Sequence, residues 1–136
     1  MLIVIQFCFS VVRVSGTSME PTLIEGEYII VNKRASIQRG DVVLAIDPDG
    51  QYIVKRVVAL AGDLVCIKSN SVFVNEILYD SLQNHSNESY VVKVEVPDNS
   101  VFLLGDNRTE SIDSRRYGCI SIDKVCGVVW VFGKEN

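Results

Sequence analysis

The sequence predicts an all-β protein in which coiled antiparallel sheets form a barrel-like fold with little helix. Past residue 25, short runs of β-branched and aromatic residues are bounded by Gly, Pro, Asn and Asp, a pattern typical of strands joined by turns. Helical periodicity is nearly absent. Several runs, such as VVLAI at 42–46 and VCGVVWVF at 125–132, are almost continuously apolar, which indicates burial on both faces. The alternative is an open sheet covered by one helix.

The first apolar stretch, Leu2 to Val12, is interrupted by Gln6 and Ser10 and has about half of the roughly 20 residues that span a bilayer. Residues 1–12 are therefore interpreted either as the first strand, starting near Phe7, or as the remnant of a membrane anchor. An export signal is not favoured, because no basic region precedes the stretch and no small-residue cleavage pattern follows it.

The remaining strands follow from the boundaries of the later apolar runs. Pro48, Asp49 and Gly50 separate the second and third of these runs, and Gly50 supplies the positive φ of a tight turn, so the two strands should form a hairpin. The predicted strands are Tyr28 to Asn32, Val42 to Ile46, Ile53 to Ala59, Leu64 to Lys68, Val72 to Val74, Val91 to Val96, Val101 to Leu104 and Val125 to Phe132.

One domain is expected to comprise residues 1–136, because 136 residues with 48% hydrophobic side chains provide a core and no linker divides them. The polar stretch at 79–90 is typical of a surface excursion. A net charge of −4 with scattered basic residues argues against nucleic acid as a partner. The four cysteines form no CxxC pair, so neither a metal nor a cofactor is expected. A disulfide between Cys119 and Cys126 stays open, although cysteines in apolar strands are more often buried free thiols.

The segment SGTSMEPTL at 15–23 is the first of three that indicate chemistry. Ser18 lies on a turn in which Gly16 allows another chain to approach closely, so the turn can present a hydroxyl and backbone N–H groups to a ligand. The alternative is an ordinary Ser/Thr-rich turn closed by Pro21.

The segment QYIVKRVVALAGD at 51–63 places Lys55 and Arg56 within an apolar strand, where they point to opposite faces. A lysine held against apolar neighbours loses hydration, which lowers its pKa and makes it a general base near neutral pH. The alternative is a solvated charge on the outer face of an edge strand.

The segment LGDNRTESIDSRRYG at 104–118 is polar, yet it lies between two apolar strands. A loop of this kind usually has its groups paired, and the hydroxyl of Ser111 is placed where it can orient another side chain. Four charged residues are spaced for mutual ion pairs: Asp106, Arg108, Asp113 and Arg115.

A serine on a Gly-containing turn and a lysine on an apolar strand, with His85 in the polar stretch and no second histidine, predict acyl transfer by a Ser–Lys pair. The sequence resembles the type I signal peptidases, membrane-bound serine proteases that remove signal peptides from exported proteins. Four motifs between Phe7 and Phe132 carry the resemblance: SMEPTL at 18–23, RGDVV at 39–43, KRVVALAGD at 55–63 and GDNRTESIDSRRYG at 105–118.

The resemblance implies roles for individual residues. Ser18 matches the nucleophile, Lys55 the general base, and Ser111 the hydroxyl that orients the lysine amine. Gly16 replaces a serine that donates to the oxyanion in some members, so that role falls on backbone N–H groups, mainly that of Ser18. Asp106 and Arg115 match a structural ion pair, and Asp113 and Arg56 complete its network. The apolar substrate pockets fall on Val14, Leu23, Ile53 and Val54.

The resemblance also implies partners and a location. The partners are signal peptides of exported preproteins and the lipid surface, and the location is the cell membrane with the catalytic domain on its extracytoplasmic face. Phe7, Phe9, Trp130 and Phe132 could form an exposed apolar patch for that surface, or they could fill the barrel core. Two other functions are a repressor-type self-cleaving Ser–Lys domain and an inactive remnant that binds signal peptides.

Overall fold

The computed structural model describes residues 8–68, 71–81 and 91–130, and these residues form two antiparallel sheets. The strands are β1 (Phe9–Arg13), β2 (Tyr28–Asn32), β3 (Val42–Ile46), β4 (Tyr52–Leu60), β5 (Leu64–Lys68), β6 (Ser71–Val74), β7 (Ile77–Ser81), β8 (Val91–Glu95), β9 (Ser100–Leu104), β10 (Ile120–Ser121) and β11 (Val125–Trp130). One short helix, α1 (Ser114–Tyr117), and two 3₁₀ turns, at Arg108–Glu110 and Ile122–Lys124, accompany them.

The larger sheet has the strand order β1-β2-β11-β3-β4-β9-β10 and curls into a half-barrel, and the smaller sheet has the order β7-β6-β5-β8. The predicted all-β, barrel-like class is therefore confirmed. The hairpin of β3 and β4 is also present: Ile46 pairs with Tyr52, and Gly50 in the turn has a φ of 81°. No helix within the described ranges is both long and apolar enough to cross a bilayer.

Several elements differ from the sequence prediction. Tyr79, Asp80 and Ser81, expected in a surface excursion, instead complete β7, which pairs with β6 through a two-residue turn. That turn, Asn75 and Glu76, has positive φ at both positions, the backbone of a tight hairpin turn. The rest of the expected excursion, the expected start near Phe7 and the end at Phe132 lie outside the described residues.

The core consists of three apolar clusters, and β4 contributes to all of them. Val58 belongs to the cluster between the two sheets, Val54 packs against the cluster under the loop that follows β1, and Val57 belongs to the third cluster on the opposite face. The third cluster also contains Val43, which pairs with Lys55 across β3 and β4. The lysine is therefore set in a strand that is packed on both faces.

Candidate active site

The loop between β1 and β2 holds Ser18 in a fixed position. Met19 and Leu23, each 2% exposed, anchor the loop in the core, and the Leu23 N–H donates to Met19 O at 2.9 Å. From the loop after β9, the Asn107 N–H donates to Ser18 O at 2.9 Å, and the Asn107 amide donates to Thr17 O at 3.0 Å. Ser18 is thus held between the core and the loop that follows β9.

Lys55 reaches Ser18 from the middle of β4. Its Nζ is hydrogen-bonded to Ser18 Oγ at 2.6 Å, and the residue is 5% exposed. Desolvation by burial holds the pKa of Lys55 below its ordinary 10.5; the field of Asp113 opposes this shift and that of Arg115 adds to it. The structure therefore brings the two predicted residues together and favours the neutral amine.

Ser111 lies beside Gly105 and the carbonyl oxygen of Ser18. Its Oγ donates to Asp113 Oδ2 at 2.8 Å, and that buried carboxylate also accepts the Gly105 N–H at 3.0 Å. A Cβ at Gly105 would clash with Ser111 Oγ and would come within 2.7 Å of Ser18 O. Ser18, Ser111 and Gly105 are therefore packed in direct contact, a close approach that only glycine allows.

The four residues of the expected ion-pair network are paired differently from the prediction. Asp106 was expected to pair with Arg115, but Arg56 binds it, with Nε–Oδ1 at 2.8 Å and Nη2–Oδ2 at 2.7 Å. Arg115 instead pairs with Asp113 at 2.8 Å. The reason is local: Arg56 lies opposite Leu104, two residues before Asp106, whereas Arg115 is in the helical turn that Asp113 caps.

The Arg56–Asp106 pair connects β4 to the loop that carries Ser18. Thr22 Oγ1 donates to Asp106 Oδ2 at 2.6 Å, and Arg56 Nη1 donates to Gly40 O at 2.7 Å. Although burial alone raises the pKa of Asp106, hydrogen bonds from Arg56 and Thr22 outweigh it and hold this pKa below the ordinary value.

The two residues expected to bind the oxyanion differ in their hydrogen bonding. The Gly16 N–H donates to Glu25 Oε1 at 3.1 Å, and Gly16 has a φ of 82°. The Ser18 N–H has no acceptor within the described part of the chain. Of the two, Ser18 therefore has the backbone donor that a ligand can use.

The expected substrate pocket is divided between two faces of the sheet. Val14 and Leu23 are buried in one cluster and Val54 packs against it, whereas Ile53 packs against the cluster on the opposite face. A cavity of about 530 Å³ adjoins the first cluster, and its lining comes from four strands and the turn after β2. Its lining residues are Ser10, Val11, Val12, Lys33, Leu44, Tyr52 and Cys126.

Sequence reasoning missed two contributors to this site, Thr22 and Asp80. Thr22 lies within the SMEPTL motif, but a threonine in a turn gives no sign of a partner 84 residues away. Arg108 was expected to pair within its own loop, but its partner is Asp80 of β7, at 3.0 Å. The polarity of segment 104–118 indicated that its charged side chains are paired, but which residue pairs with which depends on the tertiary fold.

Comparisons with known proteins agree with this arrangement. A family model described as signal peptidase, peptidase S26, matches residues 1–132. Signal peptidase I V of Bacillus subtilis (strain 168) is 34% identical, covering 86% of this chain and 81% of that protein. Signal peptidase I of Bacillus licheniformis is 35% identical, covering 93% of this chain and 77% of that protein. The crystal structure of a signal peptidase I from Enterococcus faecalis V583 is similar with a TM-score of 0.60 and 27% identity, covering 69% of this chain and 97% of that one.

The β fold, the buried lysine beside a serine and these similarities define a serine protease. More particularly, the chain belongs to the signal peptidase family, peptidase S26, and within it to the type I enzymes.

Proposed function

We propose that this chain cleaves signal peptides from exported precursor proteins with Ser18 as nucleophile and Lys55 as general base. The observation that carries the proposal is the 2.6 Å hydrogen bond between the buried Lys55 Nζ and the half-buried Ser18 Oγ. Desolvation disfavours the ammonium form of the amine, so its lone pair is available to accept the serine hydrogen.

The reaction proceeds in two steps. Ser18 Oγ attacks the scissile carbonyl carbon while its proton passes to Lys55 Nζ, and the Ser18 N–H stabilises the developing oxyanion. Lys55 then returns the proton to the leaving amine, and an acyl-enzyme remains. Water attacks the acyl carbonyl while Lys55 again accepts a proton and passes it to Ser18 Oγ as the ester bond breaks. The signal peptide leaves as a carboxylic acid that loses its proton to solvent.

Two strand edges are suited to bind the substrate as an added strand. Within the described ranges, β1 pairs with β2 alone, and the segment Tyr52–Lys55 of β4 pairs with β3 alone, because β9 begins its pairing at Arg56. β1 continues into the loop that contains Ser18, and the β4 segment ends at Lys55, which is hydrogen-bonded to Ser18. An extended peptide could hydrogen-bond to them and place small side chains near Val14 and Val54, which suits an Ala-X-Ala sequence.

The proposal includes a membrane location with the catalytic domain on the extracytoplasmic face. The register places Val11, Ile30 and Trp130 side by side on one face of the larger sheet, where Val11 is 70% and Trp130 is 56% exposed. Phe9 stacks on Trp130 with ring centroids 6.4 Å apart. This outer-face patch supports contact with lipid, because aromatic residues favour the headgroup level.

The test is cleavage of a purified precursor that carries an Ala-X-Ala site by wild type, Ser18→Ala and Lys55→Ala. Lys68→Ala, which changes an exposed lysine at the end of β5, is the matched control. We expect cleavage by wild type and the control and none by the other two, with circular dichroism showing that all four are folded. Cleavage of the chain itself, but not of the precursor, would favour the self-cleaving function, and precursor binding without cleavage would favour the inactive remnant.

A further inference from the structure

The smaller sheet meets the loop that follows β9, residues 105–113 and here called the active-site loop, at β7, where the strand is irregular. Val72 of β6 pairs with Asp80, and Phe73 pairs with Leu78, so Tyr79 is an extra residue in a β-bulge. Without the bulge, Asp80 would share the outer face with Leu78, which is 54% exposed. The bulge instead places Asp80 on the inner face, opposite the buried Val72.

The carboxylate that the bulge turns inward has a specific partner. Asp80 Oδ2 accepts from Arg108 Nη2 at 3.0 Å, and the Arg108 side chain is 4% exposed whereas that of Asp80 is 43% exposed. A guanidinium this deeply buried requires a counter-charge, because an unpaired buried charge is strongly destabilising. Asp80 supplies it from the smaller sheet.

Arg108 transmits this contact to both ends of the active-site loop. Its Nε donates to Gly105 O at 2.9 Å, and its own carbonyl oxygen accepts from Arg115 Nη2 at 2.8 Å. Gly105 is packed against Ser18 O and Ser111 Oγ, and Arg115 holds Asp113. A displacement of Arg108 would therefore move the groups that surround the Ser18–Lys55 pair.

We propose that Asp80 is a positioning residue for the proteolytic reaction: through Arg108 it fixes the loop that holds Ser111 and Asp113 beside Ser18 and Lys55. The smaller sheet, which contributes no reacting atom, thereby sets the working geometry of the site. This inference rests on the proposed function. It predicts an effect on turnover rather than on substrate binding, since Asp80 belongs to β7 and to neither of the strand edges proposed for the peptide.

The test compares Asp80→Asn, which keeps the shape and removes the charge, with wild type on the same Ala-X-Ala precursor. Asp98→Asn, at an exposed carboxylate before β9, is the control, and Asp80→Glu is the conservative variant. For Asp80→Asn we expect kcat to fall about tenfold with KM within about twofold of wild type. The rise of activity with pH should also move to higher pH, because a loosened loop admits water to Lys55. Asp80→Glu should recover part of kcat.

Each outcome distinguishes the inference from the proposed function. If wild type does not cleave the precursor, the proposed function fails, and this inference fails with it. If wild type cleaves and Asp80→Asn has the same kcat and pH profile, the inference alone is overturned, even where the melting temperature falls. If Asp80→Asn does not fold, Arg108→Lys, which keeps the charge but loses the Nε donor to Gly105, serves as the test. The same loss of kcat is then expected, and turnover like that of wild type overturns the proposal.

Discussion

Asp113 Oδ2 lies 2.8 Å from Ser111 Oγ and accepts its hydrogen. Since a hydroxyl has one hydrogen to donate, this bond leaves the lone pairs of Ser111 Oγ available to accept one. Asp113 is 1% exposed and is held by the Gly105 N–H and by Arg115, so the direction of the Ser111 hydroxyl is set by a buried group. Among the described residues no hydrogen bond joins Ser111 to Lys55, so the orienting role that the resemblance implied stays a prediction.

The first prediction concerns this hydroxyl. If Ser111 orients the Lys55 amine during the reaction, Ser111→Ala removes that acceptor and also leaves Asp113 without one of its donors, so we expect kcat to fall about a hundredfold with the fold retained. Steady-state kinetics on an Ala-X-Ala precursor measures the change. Ser100→Ala is the control; among the described residues, the hydroxyl of this β9 serine bonds to the Asp98 carbonyl alone, at 3.4 Å. Equal activity of Ser111→Ala and the control would contradict the role.

The second prediction is the pH dependence of cleavage. In the proposed mechanism the neutral amine of Lys55 is the base, and burial holds the pKa of Lys55 below 10.5. Activity should therefore rise with pH through an apparent pKa below that value and reach a plateau. A profile of kcat/KM that still climbs at pH 10.5 would show that the base is a solvated group elsewhere.

The lowered pKa of Lys55 also predicts how the free energy of unfolding depends on pH. Between its lowered native pKa and 10.5, the unfolded chain binds more protons at this lysine than the native chain does. The free energy of unfolding therefore rises with pH across that window. Denaturant titrations of wild type and Lys55→Met at several pH values measure this difference. A slope that is identical in the two proteins would contradict the burial of a neutral amine.

The third prediction concerns the Arg56–Asp106 pair. Asp106→Asn should lower the free energy of unfolding at pH 7 by about 1–3 kcal/mol, because Arg56 then loses its charged partner. The native pKa of Asp106 is lowered, so its stabilising effect is present above its unfolded pKa and is lost as pH falls through the native pKa. The difference in the free energy of unfolding between Asp106→Asn and wild type should therefore become smaller in acid. Asp123→Asn, an exposed carboxylate, should show neither effect.

The fourth prediction concerns the outer-face patch of Phe9, Val11, Ile30 and Trp130. Trp130→Ala should reduce cosedimentation with liposomes at least severalfold, because it removes the indole ring and its stack on Phe9. Ile77→Ala, at a 73% exposed apolar residue of the smaller sheet, is the control. Catalysis on a soluble peptide should be unchanged in both variants. Equal liposome binding by Trp130→Ala and wild type would remove the membrane contact from the proposal and leave the chemistry in place.

Sequence reasoning was most accurate for residues whose environment is determined by the strand or turn in which they lie. Lys55 lies in an apolar run, so its burial and lowered pKa could be anticipated, and the turn chemistry of Pro48 to Gly50 gave the hairpin. The partner of Asp106 could not be obtained in this way. It depends on the register of β4 against β9, which places Arg56 opposite Leu104.

The contribution of β7 was also beyond sequence reasoning. Tyr79 and Asp80 are polar residues at the end of a short strand, and their composition resembles that of a surface loop. A one-residue bulge reverses the face to which Asp80 belongs, and a bulge leaves no periodic signal in four or five residues. The ion pair with Arg108 follows from that irregularity.

Val43 faces Lys55 directly across β3 and β4, and it is fully buried. The pKa of Lys55, the proposed base, therefore depends on hydrocarbon packing as well as on charge, since desolvation is the largest cause of its pKa shift. Removing two methyl groups by Val43→Ala would admit water beside the amine and weaken its preference for the neutral form. Substitutions between uncharged apolar residues around Lys55 can thus shift the pH range in which the proposed reaction works. The proposed nucleophile, the proposed base and the loops that hold them would all be retained.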